Sequence, residues 1–158
     1  MDMAKDFEGP CPVARALNRI GDAWSMLILR DAGMGIARFD QFRASLGIAP
    51  NILARRLKAL TEAGLLERRR YSTRPPRDEY VLTDAGRDFL PVLLTIGAWG
   101  HRHHGQGGTT RAIDTETGRT LEPIVVDRET GRPIQSFRIT MVPPGESGGG
   151  NAGAAGED

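Results

Sequence analysis

Between Gly47 and Gly64 the chain writes one amphipathic helix together with both of its stops, and this bounded segment limits what the rest can become. Within 47-GIAPNILARRLKALTEAG-64, Pro50 suits a first helical turn, because the N–H it lacks would be unpaired there anyway. Ile52, Leu53, Leu57 and Leu60 recur at helical spacing as an apolar stripe, while Asn51, Arg55 and Lys58, at i, i+4 and i+7, line another face. Gly64 is expected to end the helix as a left-handed cap. Just upstream, 38-RFDQFRASLG-47 sets Phe39, Phe42 and Leu46 at i, i+3 and i+7 and closes on Gly47. Two helices therefore meet across a turn of a few residues.

The flanks extend the pattern. Residues 12–32 are predicted helical in two pieces. Val13, Ala16, Leu17 and Ile20 mark the first, Gly21-Asp22 interrupts, and Asp22 caps a second piece carrying Trp24, Leu27 and Ile28 before the stop at Gly33-Met34-Gly35. Downstream, 65-LLERRRY-71 and 79-EYVLT-83 are strand-like, and the residues between them suggest a hairpin with a Pro-Pro tip. Thr83-Asp84 then caps a long helix, residues 85 to about 103, with Phe89, Leu90, Leu93, Ile96 and Trp99; Pro91 within it either kinks the helix or shifts its start. The expected fold is mainly α with a small β-hairpin wing (α+β), a winged helix-turn-helix.

Whole-chain charge is uninformative at +1, but its distribution is not. Residues 38–77 hold ten basic side chains against three acidic ones, whereas residues 105–158 hold five arginines against eight acids. A basic block of this kind is either a solvated face or a footprint for a polyanion. The layout favours the second. A helix fits the major groove of B-DNA with its side chains at base edges, and the helix before it crosses the backbone. A neighbouring hairpin can lay arginines on phosphates or in the minor groove. Asn51 and Arg55, which can read bases bidentately, are the expected base readers, with Lys58 as a point contact. Arg56 is assigned to the same helix, although it borders the apolar stripe and has the alternative of pairing with an acid of its own domain. Arg38 and Gln41 come from the preceding helix, and Arg68, Arg69, Arg70, Arg74 and Arg77 from the hairpin.

Other chemistries find no support. There is no Gly-rich phosphate loop, no nucleophile with a histidine partner and no paired carboxylates on one face; Asp22, Asp31 and Asp84 read as caps or surface charges. No enzyme activity and no cofactor are expected. His101, His103 and His104 complement the negative pole of a helix end more simply than they form a metal site, so no metal is expected either. The single cysteine, Cys11, excludes an intramolecular disulfide and fits a reducing compartment. No apolar run approaches the ~20 residues that span a bilayer. A cytoplasmic protein with no membrane partner is the expectation.

The chain resembles the HxlR family of bacterial winged-helix transcription regulators. The resemblance rests on 11-CPVARALNRIGDAW-24, 39-FDQFRASLGIAPNILARRLKAL-60, 63-AGLLERR-69, 75-PPRDEYVLTDAG-86, 89-FLPVL-93 and Trp99. It implies a homodimer joined through its first and last helices, on a palindromic operator. Two positions depart from the family pattern: Ala49 stands where a serine cap is common, and Asp78 where an apolar residue is usual. The sequence also argues for a dimer on its own, since Leu17, Ile20, Leu93, Ile96 and Trp99 offer more apolar surface than a small winged domain needs, unless they belong to its core. Some members with a cysteine at this N-terminal place sense oxidants or electrophiles, which makes Cys11, at the start of a helix, the candidate sensor for an oxidant or small-molecule effector.

The expected organisation is an N-terminal arm (1–10), the winged domain (11–104), a β-rich appendage (105–142) and a disordered tail (143–158). The appendage contains a repeat at a 13-residue offset, 114-DTETGRTLEPIVV-126 and 127-DRETGRPIQSFRI-139, each with a D-x-E-T-G-R turn signal before a β-prone run. The expected function is sequence-specific regulation of transcription on double-stranded DNA, as a repressor. The alternative is a winged-helix protein-interaction module that uses the appendage.

Overall fold

The computed structural model describes residues 10–145, so the expected arm, apart from Pro10, and the expected tail, apart from residues 143–145, lie outside the described residues. The elements run α1 (Pro12–Ile20), α2 (Ala23–Gly33), α3 (Phe39–Leu46), α4 (Pro50–Glu62), β1 (Leu66–Thr73), β2 (Pro76–Leu82) and α5 (Asp84–His104), followed by a single 3-10 turn at Ile134–Ser136. This is the predicted order and the winged helix-turn-helix architecture. Among the described residues no helix is long and apolar enough to cross a membrane.

Local chemistry explains the boundaries. Asp22 caps α2 by accepting the Ser25 N–H at 3.1 Å, and Thr83 caps α5 by accepting the Gly86 N–H at 3.1 Å. α4 begins at Pro50 with no side-chain cap from Ala49. After α4 the chain reverses at Gly64, whose φ of 74° lies in the left-handed region that glycine enters without a Cβ penalty. Pro91 does not break α5, which continues unbroken past it to His104.

The core lies under α2, α3 and α4. Ile28 and Leu29 of α2, Phe42 of α3 and Leu53, Leu57 and Leu60 of α4 are all buried, and Leu66 and Leu82 close it from the base of the hairpin. The stripe read from the sequence is thus the packed face of α4, with Ile52 partly buried at its border. Asp31, expected to be a cap or a surface charge, is instead fully buried, and its Oδ1 accepts from Arg30 Nε at 2.9 Å and Nη2 at 2.7 Å. Its position on the inner face of α2 outweighs its polarity.

The hairpin is longer and tighter than expected. β1 and β2 pair antiparallel from Leu66↔Leu82 to Thr73↔Pro76, leaving Arg74-Pro75 as the tip, with a register shift between Arg70 and Ser72. Pro76 is tolerated because it is the first residue of its strand, where a missing N–H costs little. A further contact was not visible in the sequence: the Tyr80 N–H donates to the Ala37 carbonyl at 2.7 Å, and Arg38 bridges to Glu79, so the lead into α3 lies along β2. At the base, the Thr83 hydroxyl donates to Gly64 O at 2.6 Å and the Thr83 N–H donates to Leu65 O at 3.1 Å. The wing, the end of α4 and the start of α5 are thereby tied at one point.

Beyond α5 the two repeats close as turns rather than as strand ladders. Each forms one isolated bridge, Ile113↔Thr120 and Val126↔Pro133. Pro123 and Pro133 each remove a backbone donor from the runs that were expected to be β.

Candidate nucleic-acid interface

The outward face of α4 carries Asn51, Arg55 and Lys58, all exposed, opposite the buried Leu53, Leu57 and Leu60. Asn51 and Arg55 have no recorded side-chain partner among the described residues. Lys58 faces Glu62 one turn on at 3.7 Å with both side chains largely exposed, a pair worth little that leaves the ammonium available. This face therefore presents bidentate hydrogen-bonding groups without an internal claim on them.

Arg56 differs from its neighbour. It is half-buried, and its Nη1 lies 2.6 Å from Asp22 Oδ2, so it ties α4 to the N-terminus of α2. The carboxylate that caps α2 through one oxygen thus takes Arg56 on the other. Of the two uses open to this side chain in the sequence, the structure gives the internal one, and it is not oriented with Arg55.

The α3 residues are also partly committed. Gln41 Oε1 accepts the Arg38 N–H at 3.0 Å and the Ala37 N–H at 3.3 Å, which fixes the start of α3 and leaves the amide donors free. The Arg38 guanidinium sits 4.6 Å from the centroid of the Tyr71 ring. That cation–π contact orients Arg38 toward the hairpin at the seam between α3 and the wing.

In the wing the arginines divide by strand alternation. Arg68 and Arg70 share a face with Asp78, which accepts from Arg68 Nε at 2.9 Å and from Arg70 Nε at 3.1 Å, and again from Arg68 Nη2. Asp78 is only 16% exposed, and these hydrogen bonds, Arg70's foremost, hold its carboxyl below the usual carboxylate range. Arg69 is on the other face and pairs with Glu67 at 2.9 Å, which lowers the Glu67 pKa in the same way. Arg74 at the tip and Arg77 beside it are exposed and have no recorded partner among the described residues. The five wing arginines thus form two classes, three held by carboxylates and two open at the tip.

The remaining candidates fall elsewhere. Cys11 is exposed and directly precedes α1, with its carbonyl accepting the Arg15 N–H at 3.1 Å. Ile20 is buried within its own chain and Leu93 packs against the core, whereas Leu17, Ile96 and Trp99 are exposed on α1 and α5. Val13, read in the sequence only as part of the α1 stripe, is exposed as well, as are Val92 and Leu94 on α5, because helical spacing alone does not separate a core stripe from a second apolar face. The Trp99 ring packs against His103 and His104, with centroids 5.4 and 5.1 Å away.

Comparison with known proteins bears on this arrangement. A family model described as HxlR-like helix-turn-helix matches residues 19–107. The chain is similar to an uncharacterized HTH-type transcriptional regulator of Mycobacterium tuberculosis, at 36% identity over 144 residues that make up 90% of each chain. The crystal structure of PA1607 superposes with a TM-score of 0.75 at 38% identity, covering 84% of this chain and 96% of its own. The reduced form of the redox regulator HypR superposes with a TM-score of 0.55 at 32% identity, covering 59% of this chain but 95% of its own. The matches to the first two relatives are long enough to extend beyond α5, whereas the match to HypR spans 59% of the chain.

Proposed function

The chain belongs to the family of HxlR-like helix-turn-helix transcriptional regulators, and from that premise we propose that it is a homodimeric repressor that reads a palindromic operator. It is a DNA-binding regulator and not an enzyme. The observation that carries the reading is the outward face of α4, where Asn51 and Arg55 stand exposed with no recorded partner among the described residues. Inserted in a major groove, Asn51 and Arg55 have the donors and acceptors to read base edges, and Lys58 to meet a phosphate. Arg38, Gln41, Arg74 and Arg77 flank the groove as backbone contacts, while Arg68, Arg69 and Arg70 reach phosphate only in exchange for their carboxylates. The exposed Leu17, Ile96 and Trp99 support pairing through α1 and α5. A two-fold dimer would set its two α4 helices about 34–36 Å apart, one turn of DNA. Cys11 is the proposed sensor; its exposure at a helix start, and the likeness to a protein titled a redox regulator, support that role.

The test is binding to duplex promoter DNA across a salt series. The logarithm of affinity should fall linearly with the logarithm of salt, by about 0.9 per phosphate contacted. No retention on duplex DNA at low salt would remove the reading and favour a protein-interaction module built on the C-terminal segment.

A further inference from the structure

Residues 110–145 carry a surface that the other described residues leave uncovered. Ile113, Ile124, Val125, Val126, Ile139 and Met141 are exposed by 44–70%, and none joins the hydrophobic cluster under the helices. The recorded hydrogen bonds of this segment run within it. It is nevertheless well organised. Asp114 and Asp127 each bind the turn that follows them: Asp127 accepts the Thr130 N–H at 2.8 Å and its hydroxyl at 2.7 Å, and Asp114 accepts the Glu116 N–H at 3.1 Å. The backbone closes each turn by Asp114 N–H to Arg119 O at 2.8 Å and Asp127 N–H to Arg132 O at 2.9 Å. The left-handed glycine in each turn, Gly118 and Gly131, completes a preformed loop. A preformed apolar segment loses little conformational freedom on docking.

Charge and continuity decide what it docks on. Over 105–145 arginines and acids balance, five of each, so the segment lacks the cationic excess that a nucleic acid requires. It continues directly from α5, which exposes Val92, Leu94, Ile96 and Trp99. With Val13 and Leu17 these make six large apolar side chains, the apolar part of an interface to which a stable complex contributes ~20–30 residues a side in all. The segment follows α5 along the chain, and its exposed Ile113, Ile124, Val125, Val126, Ile139 and Met141 would add apolar area to theirs. A receiving site is present as well: an open hollow of about 250 Å³ lies among Ala16, Ile20, Leu65, Ala85 and Phe89 at the start of α5, with the charged Arg19 and Asp88 also lining it. The segment leaves from the other end of that helix, about 30 Å away at 1.5 Å per residue. A second copy with its α5 antiparallel would bring its own segment to the hollow, and two-fold symmetry would repeat the contact.

We propose that residues 110–142 are a strap that docks on the α1–α5 surface of a second copy of this chain, seating an apolar side chain in the hollow beside Ile20 and Phe89. The inference rests on the homodimer reading and goes beyond it, because the partner's strap and not only its helices completes the interface.

The experiment uses the full chain with a photoreactive residue introduced as Ile124→4-benzoylphenylalanine, held with a large excess of ¹⁵N-labelled copies of the unsubstituted chain until subunits have exchanged, so that nearly every light chain has a heavy partner. Irradiation should join light peptides containing position 124 to heavy peptides from residues 12–20 or 85–104. Cross-links confined to one isotope would mean that the strap folds on its own chain, and would overturn the proposal. In parallel, Ile124→Glu with Ile139→Glu should raise the dimer dissociation constant at least tenfold in sedimentation while leaving thermal unfolding of the helices in place, since both side chains are exposed. An unchanged dissociation constant would sink the strap and leave the homodimer standing; a chain that sediments as a monomer without substitution would sink both.

Discussion

At the scale of single residues, adjacent arginines on α4 have opposite employment. Arg55 is exposed without a recorded partner, whereas Arg56 is tied to Asp22 at 2.6 Å. Arg56→Ala should therefore cost about 1–3 kcal/mol of stability, the scale of leaving a partly buried carboxylate oxygen unpaired, and leave base preference as it was. Arg55→Ala should leave the denaturation midpoint unmoved and weaken discrimination at one operator position by about 1–3 kcal/mol. Chemical denaturation and binding to single-base operator variants, measured on both proteins, check the pair. Asp78 sets up a second contrast. Its folded pKa is lowered, so its pairing with the wing is present above the ordinary value of 3.8 and is lost only as pH falls through the lower folded value. At neutral pH the carboxylate is charged and competes with phosphate for Arg68 and Arg70. Asp78→Asn should steepen the salt dependence of DNA binding by about one to two units, as one or both arginines transfer to phosphate. A variant with the parental slope would mean that these arginines never face the backbone.

At the scale of elements, the joint between α4, the wing and α5 sets the geometry of the interface. Gly86 is buried there, and a Cβ on it would lie 2.2 Å from the Leu65 carbonyl oxygen and 2.9 Å from Leu82 Cδ2. Backbone cannot step aside as a flexible side chain does. Gly86→Ala should destabilise the fold by about 1–3 kcal/mol through overpacking, read as a lowered melting temperature, and the wing should be displaced from α4. An unchanged melting temperature would show that the joint is looser than its geometry. Most of the elements were legible in the sequence because each was written locally: the Leu53, Leu57 and Leu60 stripe, the Asp22 and Thr83 caps and the stops at Gly47 and Gly64 all act within a few residues. What was not legible depended on register. Starting the second strand at Glu79 leaves Asp78 in a loop; a two-residue tip puts it opposite Arg70, where it holds two of the three arginines of what had looked like a free basic run. The Arg38–Glu79 bridge and the burial of Asp31 are likewise set by tertiary contacts that no local pattern encodes.

At the scale of the whole molecule, α4 and the wing tip expose polar and basic side chains, and the helices at the two ends of the domain, α1 and α5, expose apolar ones, as does the segment beyond α5. The two surfaces suit a symmetric assembly that holds a pair of α4 helices at fixed separation. That separation is what a DNA sequence can report. The direct measurement is selection of duplexes from a random library by the full-length protein, with the bound pool sequenced. The account predicts an inverted repeat whose half-site centres lie about 10–10.5 base pairs apart or a multiple of that, with one position in each half relaxed by Arg55→Ala. An unenriched pool, or a lone half-site whose sequence is indifferent to Arg55→Ala, would contradict it.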